Sequence, residues 1–249
     1  MIHYNESGDQ SAPLIVFIHG GGVSGWMWDK QVQYFTNYHC IVPDLPGHGH
    51  SASSTTFSIN ESALKIIEII EAKRKNRTVT VIGFSLGAQV LIEMLSLRPN
   101  LLDAAIINSA LVRPIPFGKS LASSMKLFLP LIKNRTFSKI QAKSMYINEK
   151  NFESYYQESL LIHKDTFTSV MHENMTYTIP DNFKNARSRI LVTVGEREKS
   201  MMKKSLADLV NAHSKSTGLV IPKVGHGVPL AHPDYFNQLV EEWMHGRPI

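Results

Sequence analysis

Thr78-Val79-Thr80-Val81-Ile82-Gly83-Phe84-Ser85-Leu86-Gly87 is the stretch that decides the fold. Its first half is an apolar, β-branched run that reads as a buried strand. From Leu86 to Leu97 the pattern is helical, and Pro99 stops it. A chain that passes from strand to helix at Ser85 must bend sharply there, which forces the serine into a strained backbone conformation. Small residues at 83 and 87 are then required, because strand and helix approach closely on either side of the turn. A serine presented in this way is a candidate nucleophile, and the rest of the sequence must supply a base, an acid and donors for an oxyanion.

Outward from this turn, strand-like and helix-like segments alternate, which predicts an α/β fold with a mainly parallel central sheet flanked by helices. Strands are expected at Leu14 to Ile18, His39 to Val42, Thr78 to Ile82, Ala104 to Asn108, Ile190 to Gly195 and Leu219 to Ile221. Helices are expected at Ser62 to Lys73, with Asn60 as its cap, at Leu86 to Leu97 and at Pro233 to Met244. From Pro114 to Ala186 the alternation stops. Amphipathic pieces such as Leu121 to Leu129 and Phe152 to Ile162 follow one another without strands, and a structureless loop of roughly 70 residues is uncommon. The expected organisation is a core of residues 1–113 and 187–249 with a helical cap inserted at 114–186.

At 249 residues and 43% apolar content, the chain can bury a full core. The first residues show no basic-then-apolar leader and no stretch is apolar enough to span a bilayer, so a cytoplasmic protein without integral membrane association is expected. The single cysteine, Cys40, lies in a strand and reads as a buried thiol. A net charge of +5 without a nucleic-acid-binding motif argues for a solvated basic surface, not a nucleic-acid partner. The charge is unevenly placed. Six basic residues and no acidic one fall between Pro114 and Asn148, whereas six acids and two lysines fall between Glu149 and Asp181.

A serine hydroxyl needs a base within hydrogen-bond reach. Of eleven histidines, His226 follows the last strand in Gly225-His226-Gly227, at the same sheet edge as Ser85. His19 and His48 flank glycine turns and read as loop-holding residues, and His232 as a helix-entry residue. His226 in turn requires a carboxylate. The loop after Ile190 to Val194 offers Glu198 or Glu196; Glu198, further past the strand end, is better placed to turn inward. The end of the strand at Asn108-Ser109 carries no carboxylate. For the oxyanion, the Leu86 N–H at the helix start is one donor, and Gly21, with Gly22 as the alternative, is the second. Phosphate binding at Gly20-Gly21-Gly22 lacks the required Gly-Lys-Ser/Thr or Gly-x-Gly-x-x-Gly continuation. Zinc at Asp44, His48 and His50 is unnecessary to explain a Pro-Gly-His-Gly turn, so neither metal nor cofactor is expected.

Together, His19-Gly20-Gly21-Gly22, Asp44-Leu45-Pro46-Gly47-His48-Gly49, Gly83-Phe84-Ser85-Leu86-Gly87 and Gly225-His226 resemble the α/β-hydrolase fold superfamily, over Leu14 to Trp243. The resemblance implies a nucleophile elbow at Ser85, oxyanion donors at Leu86 and Gly21, and the catalytic histidine at His226. It departs at the acid, where members usually carry aspartate three places after the glycine and this chain has Glu198. Serine at 85 excludes the branches of the fold that use an aspartate nucleophile, and small hydrolases of the fold often carry a helical lid. The implied activity is carboxylesterase-like hydrolysis of a small or medium acyl substrate by a Ser-His-Glu triad. A carbon–carbon bond hydrolase and a slow-turnover ligand-binding or signalling protein are the alternatives.

Expected substrate contacts are Gly22, Trp28, Met125 and Phe128, with Trp26 and Trp28 also serving in packing. Leu121, Met125, Phe128, Leu129, Leu131 and Ile132 interleave with Lys126 and Lys133. They read either as an apolar pocket wall with a basic rim, suited to an anionic or amphiphilic substrate, or as an ordinary amphipathic helix with solvated lysines.

Overall fold

The computed structural model describes residues 2–53 and 56–247. Seven strands, β1 (Tyr4–Ser7), β2 (Leu14–Ile18), β3 (His39–Pro43), β4 (Val79–Phe84), β5 (Ala104–Asn108), β6 (Arg189–Gly195) and β7 (Ser216–Ile221), form one sheet in the order β1-β3-β2-β4-β5-β6-β7. Only β1 runs antiparallel, against β3. The inner strands are apolar at nearly every position because both faces are covered. Along β2, Leu14, Val16 and Ile18 pack on one face and Ile15 and Phe17 on the other.

The first face is covered by α2 (Ile59–Lys73), α3 (Leu86–Leu97) and α9 (Ser200–Ala212), and the second by α1 (Asp29–Tyr34) and α11 (Pro233–Met244). Helix α3, strand β5 and helix α11 have the expected limits. Helix α2 starts three residues earlier than expected, and its cap is not Asn60. Ser58 has the extended backbone a cap needs, and its hydroxyl accepts from the Glu61 N–H. Strand β1 and helix α9 have no counterpart among the sequence expectations. The alternating Tyr-Asn-Glu-Ser of β1 is a half-exposed edge strand too short and polar to signal itself.

Between β5 and β6 lie five helices, α4 (Gly118–Met125), α5 (Leu129–Ile132), α6 (Arg135–Ser144), α7 (Glu149–Leu161) and α8 (Lys164–Thr176), with a 3-10 turn at Lys126–Phe128. A further 3-10 turn, Asp181–Asn185, returns the chain to the core, burying Phe183 against α3. The remaining short helix, α10 (Val228–Ala231), follows the His226 loop. No helix among the described residues is long and apolar enough to cross a membrane.

The strand-to-helix turn shows the crowding its glycines imply. Ser85 has φ 53° and ψ −112°, in the region where side chains are strained. A Cβ on Gly87 would sit 2.4 Å from the carbonyl oxygens of both Ile18 and His19, and one on Gly83 would sit 2.5 Å from the Gly87 carbonyl oxygen. These neighbours are backbone and cannot rotate away. Gly87→Ala is therefore expected to destabilise the fold by about 3 kcal/mol, at the upper end for overpacking, read as a fall in the chemical-denaturation midpoint.

Candidate active site

Three strand ends supply the chemistry. Ser85 stands after β4, Glu198 on the loop after β6, and His226 on the loop after β7. His226 Nε2 lies 3.0 Å from Ser85 Oγ, and its Nδ1 lies 2.7 Å from Glu198 Oε2. With Nδ1 hydrogen-bonded to a carboxylate, Nε2 is the nitrogen free to accept the serine proton. The Phe84 ring lies 5.0 Å from the imidazole, centroid to centroid.

The two candidate acids separate clearly in space. The Glu198 side chain is 2% exposed, and its Oε1 accepts from the Gly195 N–H at 2.8 Å and from the Ser109 hydroxyl at 2.7 Å. Burial pushes its carboxyl up, but the His226 hydrogen bond and charge and the two further donors outweigh burial and leave it below the ordinary glutamate value. Glu198 is therefore ionised at neutral pH. Glu196 is exposed and its carboxylate accepts from the backbone N–H of Lys223, away from His226.

Ser109 is a site residue that the sequence did not announce. The strand end at Asn108-Ser109 carries no acid, yet it orients one: Ser109 adopts φ 57°, and its hydroxyl fixes the Glu198 oxygen that faces away from His226. The same strand end accepts the Ser85 N–H at the Asn108 carbonyl, while the Ser109 N–H donates to Thr193 on β6. Tyr146, at the end of α6, accepts from the Gly225 N–H at 3.0 Å and so steadies the His226 loop.

Gly21 sits against Leu86, since a Cβ on Gly21 would lie 3.6 Å from Leu86 Cδ2. Among the described residues no protein acceptor takes up the N–H of Gly21 or of Leu86. His19 and His48 are buried loop-holding residues. His19 Nε2 accepts from the Leu45 N–H, its Nδ1 meets the Gly20 carbonyl, and burial lowers its pKa. His48 meets the Pro46 carbonyl through Nδ1, and burial pulls its pKa down to about 3, so it is neutral.

Beside Ser85 lies a cavity of about 210 Å³. Gly21, Gly22, Gly47, His48, Ser85 and Leu86 form the core side, and the facing wall comes from Ile132, Gln141, Met145, Tyr155 and Ser159, together with Ile162, Thr166, Phe167, Val170, Met171 and Asn174 of the helical segment. Among the described residues, no Asp, Glu, Lys or Arg lines it. Of the four expected substrate contacts, Gly22 lines this cavity and the other three do not. Trp28 is fully buried in the core against Phe17 and Phe236, while Met125 and Phe128 are absent from the wall and Phe128 is 53% exposed. The amphipathic run from Leu121 to Ile132 reaches the cavity only through Ile132; Ala122 is buried, Met125 and Leu129 are half-buried, and Leu121, Leu127, Phe128 and Leu131 are exposed. The basic rim expected from Lys126 and Lys133 is not part of the wall.

The helical segment is fastened to the core by polar contacts around the cavity. Glu158 on α7 accepts from Ser24 Oγ at 2.6 Å and Trp26 Nε1 at 3.0 Å, and burial raises its pKa despite both donors. Asn174 on α8 and Gln89 on α3 exchange two hydrogen bonds, and Glu173 accepts from the Ile59 N–H.

A serine, a carboxylate and a histidine, met in that chain order after strands β4, β6 and β7 of a mostly parallel sheet, define a known class. The Alpha/beta hydrolase family model matches residues 15–239, and the chain belongs to this family. It is 23% identical to (E)-2-((N-methylformamido)methylene)succinate hydrolase of Acinetobacter baylyi over 99% of this chain and 95% of that one. A local match to the pimeloyl-[acyl-carrier protein] methyl ester esterase of Methylococcus capsulatus is 34% identical but spans 35% of this chain and 33% of that protein. In fold, the chain superposes on MenH from S. aureus with a TM-score of 0.81, 18% identity and 99% of each chain covered.

Proposed function

We propose that the protein is a serine hydrolase that cleaves neutral esters of small or medium acyl groups through an acyl-enzyme. The observation that carries this reading is the continuous relay from Ser85 Oγ through His226 to the buried Glu198 carboxylate, at 3.0 and 2.7 Å. Family membership and the hydrolase and esterase relatives support it. In this scheme His226 takes the Ser85 proton as Oγ attacks the carbonyl carbon, and the N–H groups of Leu86 and Gly21 receive the oxyanion. The imidazolium, stabilised by Glu198, returns its proton to the departing alcohol. Water, deprotonated by His226, then releases the acid and restores Ser85.

The substrate class follows from the cavity. A carboxylate placed against a wall without a cation would lose its hydration with no ionic partner, whereas an uncharged acyl chain gains by contact with Ile132, Met145, Phe167 and Met171. The helices between β5 and β6 act as a cap that selects the acyl group, with residues 114–186 as the inserted unit. The test is a panel of nitrophenyl esters from acetate to decanoate, with the hemisuccinate as the charged member. Neutral esters should be turned over, and the hemisuccinate should show kcat/KM lower by about 100-fold, near the 3 kcal/mol that leaving a charged group unpaired costs. Inertness toward every ester would sink the hydrolase reading, and preference for the hemisuccinate would sink the neutral-substrate one.

A further inference from the structure

Among the described residues, thirteen large hydrophobic side chains are exposed, and seven of them lie between Phe117 and Ile140. Phe117 is 88% exposed, Leu127 74% and Ile140 68%. Single exposed apolar residues are ordinary; a concentration of them on consecutive elements marks a surface that meets something other than water. Helix α4, the turn at Lys126–Phe128, α5 and α6 follow one another and each packs on the next, so these exposed residues lie on consecutive, mutually packed elements.

The charge of that stretch selects the partner. It contains six basic residues and no acidic one between Pro114 and Asn148. Arg135 pairs with Glu153, but Lys119, Lys126, Lys133 and Lys143 form no salt bridge among the described residues. A second copy of the chain would set two cationic faces against each other. An anionic bilayer satisfies both features, since apolar side chains enter the boundary between headgroups and acyl chains while lysine stems reach up to lipid phosphates. Phe117 adds a local sign of the same kind, because an aromatic residue at φ 57° accepts backbone strain while its ring stays in solvent.

We propose that the surface from Phe117 to Lys143 docks the protein reversibly on anionic lipid bilayers. The docking face and the cavity share α5, where Leu131 is exposed and Ile132 belongs to the cavity wall. Binding itself does not depend on the hydrolase reading and is measured without substrate.

The experiment is co-sedimentation of the full chain with vesicles of phosphatidylglycerol and phosphatidylcholine, or of phosphatidylcholine alone, in about 0.1 M salt. Wild type should pellet with the anionic vesicles only and release in about 1 M salt. Lys119→Gln with Lys126→Gln should lower partitioning by about 25-fold, roughly fivefold per charge, and Leu127→Ser by about tenfold. Lys203→Gln with Lys204→Gln, on exposed positions of α9, should leave it unchanged. All variants should keep the wild-type melting transition. Failure to pellet with anionic vesicles, equal binding to phosphatidylcholine alone, or equal loss in the α9 control would each overturn the proposal. Dimerisation abolished by Leu127→Ser in the absence of vesicle binding would also overturn it and assign the patch to a second copy.

Discussion

Ser85→Ala should lower ester turnover by at least about 10⁴-fold and abolish covalent labelling by a fluorophosphonate. The size follows from the arrangement, because the hydroxyl removed is the group that His226 Nε2 meets at 3.0 Å. Without it, neither an acyl-enzyme nor a phosphonyl adduct can form. Under the proposed mechanism, what would survive is the activation of water by His226 and the donors at Gly21 and Leu86. Mass spectrometry of the intact protein after labelling reads the outcome directly. An alanine variant that still gains the phosphonyl mass would place the nucleophile elsewhere.

Glu198→Gln should reduce kcat by about 10³- to 10⁴-fold, while Glu196→Gln should change it by less than about twofold. Glutamine preserves the volume but removes the charge that stabilises the imidazolium, and its amide NH₂ can oppose the Nδ1 proton and favour the wrong tautomer. Glu196 sits in solvent against the Lys223 N–H, where an amide oxygen serves as well. Stability should follow as well. Since Glu198 titrates below its unfolded value in the native state, its contribution is complete above the unfolded glutamate pKa and is lost as pH falls through the lowered native one. The melting-temperature gap between wild type and Glu198→Gln should therefore be widest near neutrality and close in acid. Equal losses from the two glutamate variants would remove the distinction between them.

Much of the fold was legible because its inner strands are buried on both faces and its helices are bounded by proline. The runs Leu14 to Ile18 and Ala104 to Asn108 are apolar throughout, and Pro99 and Pro233 mark a stop and a start. Edge elements were less legible. Strand β7 begins three residues before its apolar run because its outer positions face solvent, and β1 is polar at alternate positions. At the site, the serine and histidine stand in glycine-flanked turns whose spacing is local information. The carboxylate is a different matter: two glutamates two residues apart differ only in which one the loop turns inward, and the partner that holds the inward one, Ser109, comes from a distant strand. The cavity wall was misread for a related reason. Helical periodicity from Leu121 to Ile132 identifies two faces but not which one packs, and here Leu121, Leu127, Phe128 and Leu131 are exposed while Ala122 is buried.

The strand ends at Ser85, Asn108 and Thr193 are tied sideways, Ser85 N–H to the Asn108 carbonyl and Ser109 N–H to the Thr193 carbonyl. Ser85 and the root of the loop that carries Glu198 thus stand on one girder, and the spacing between those two points belongs to the sheet. The helices that face them belong to another part of the chain, attached through side chains such as Glu158 and Asn174. A lineage could therefore redraw the roof, one helix at a time, and inherit the Ser85–His226–Glu198 geometry unchanged.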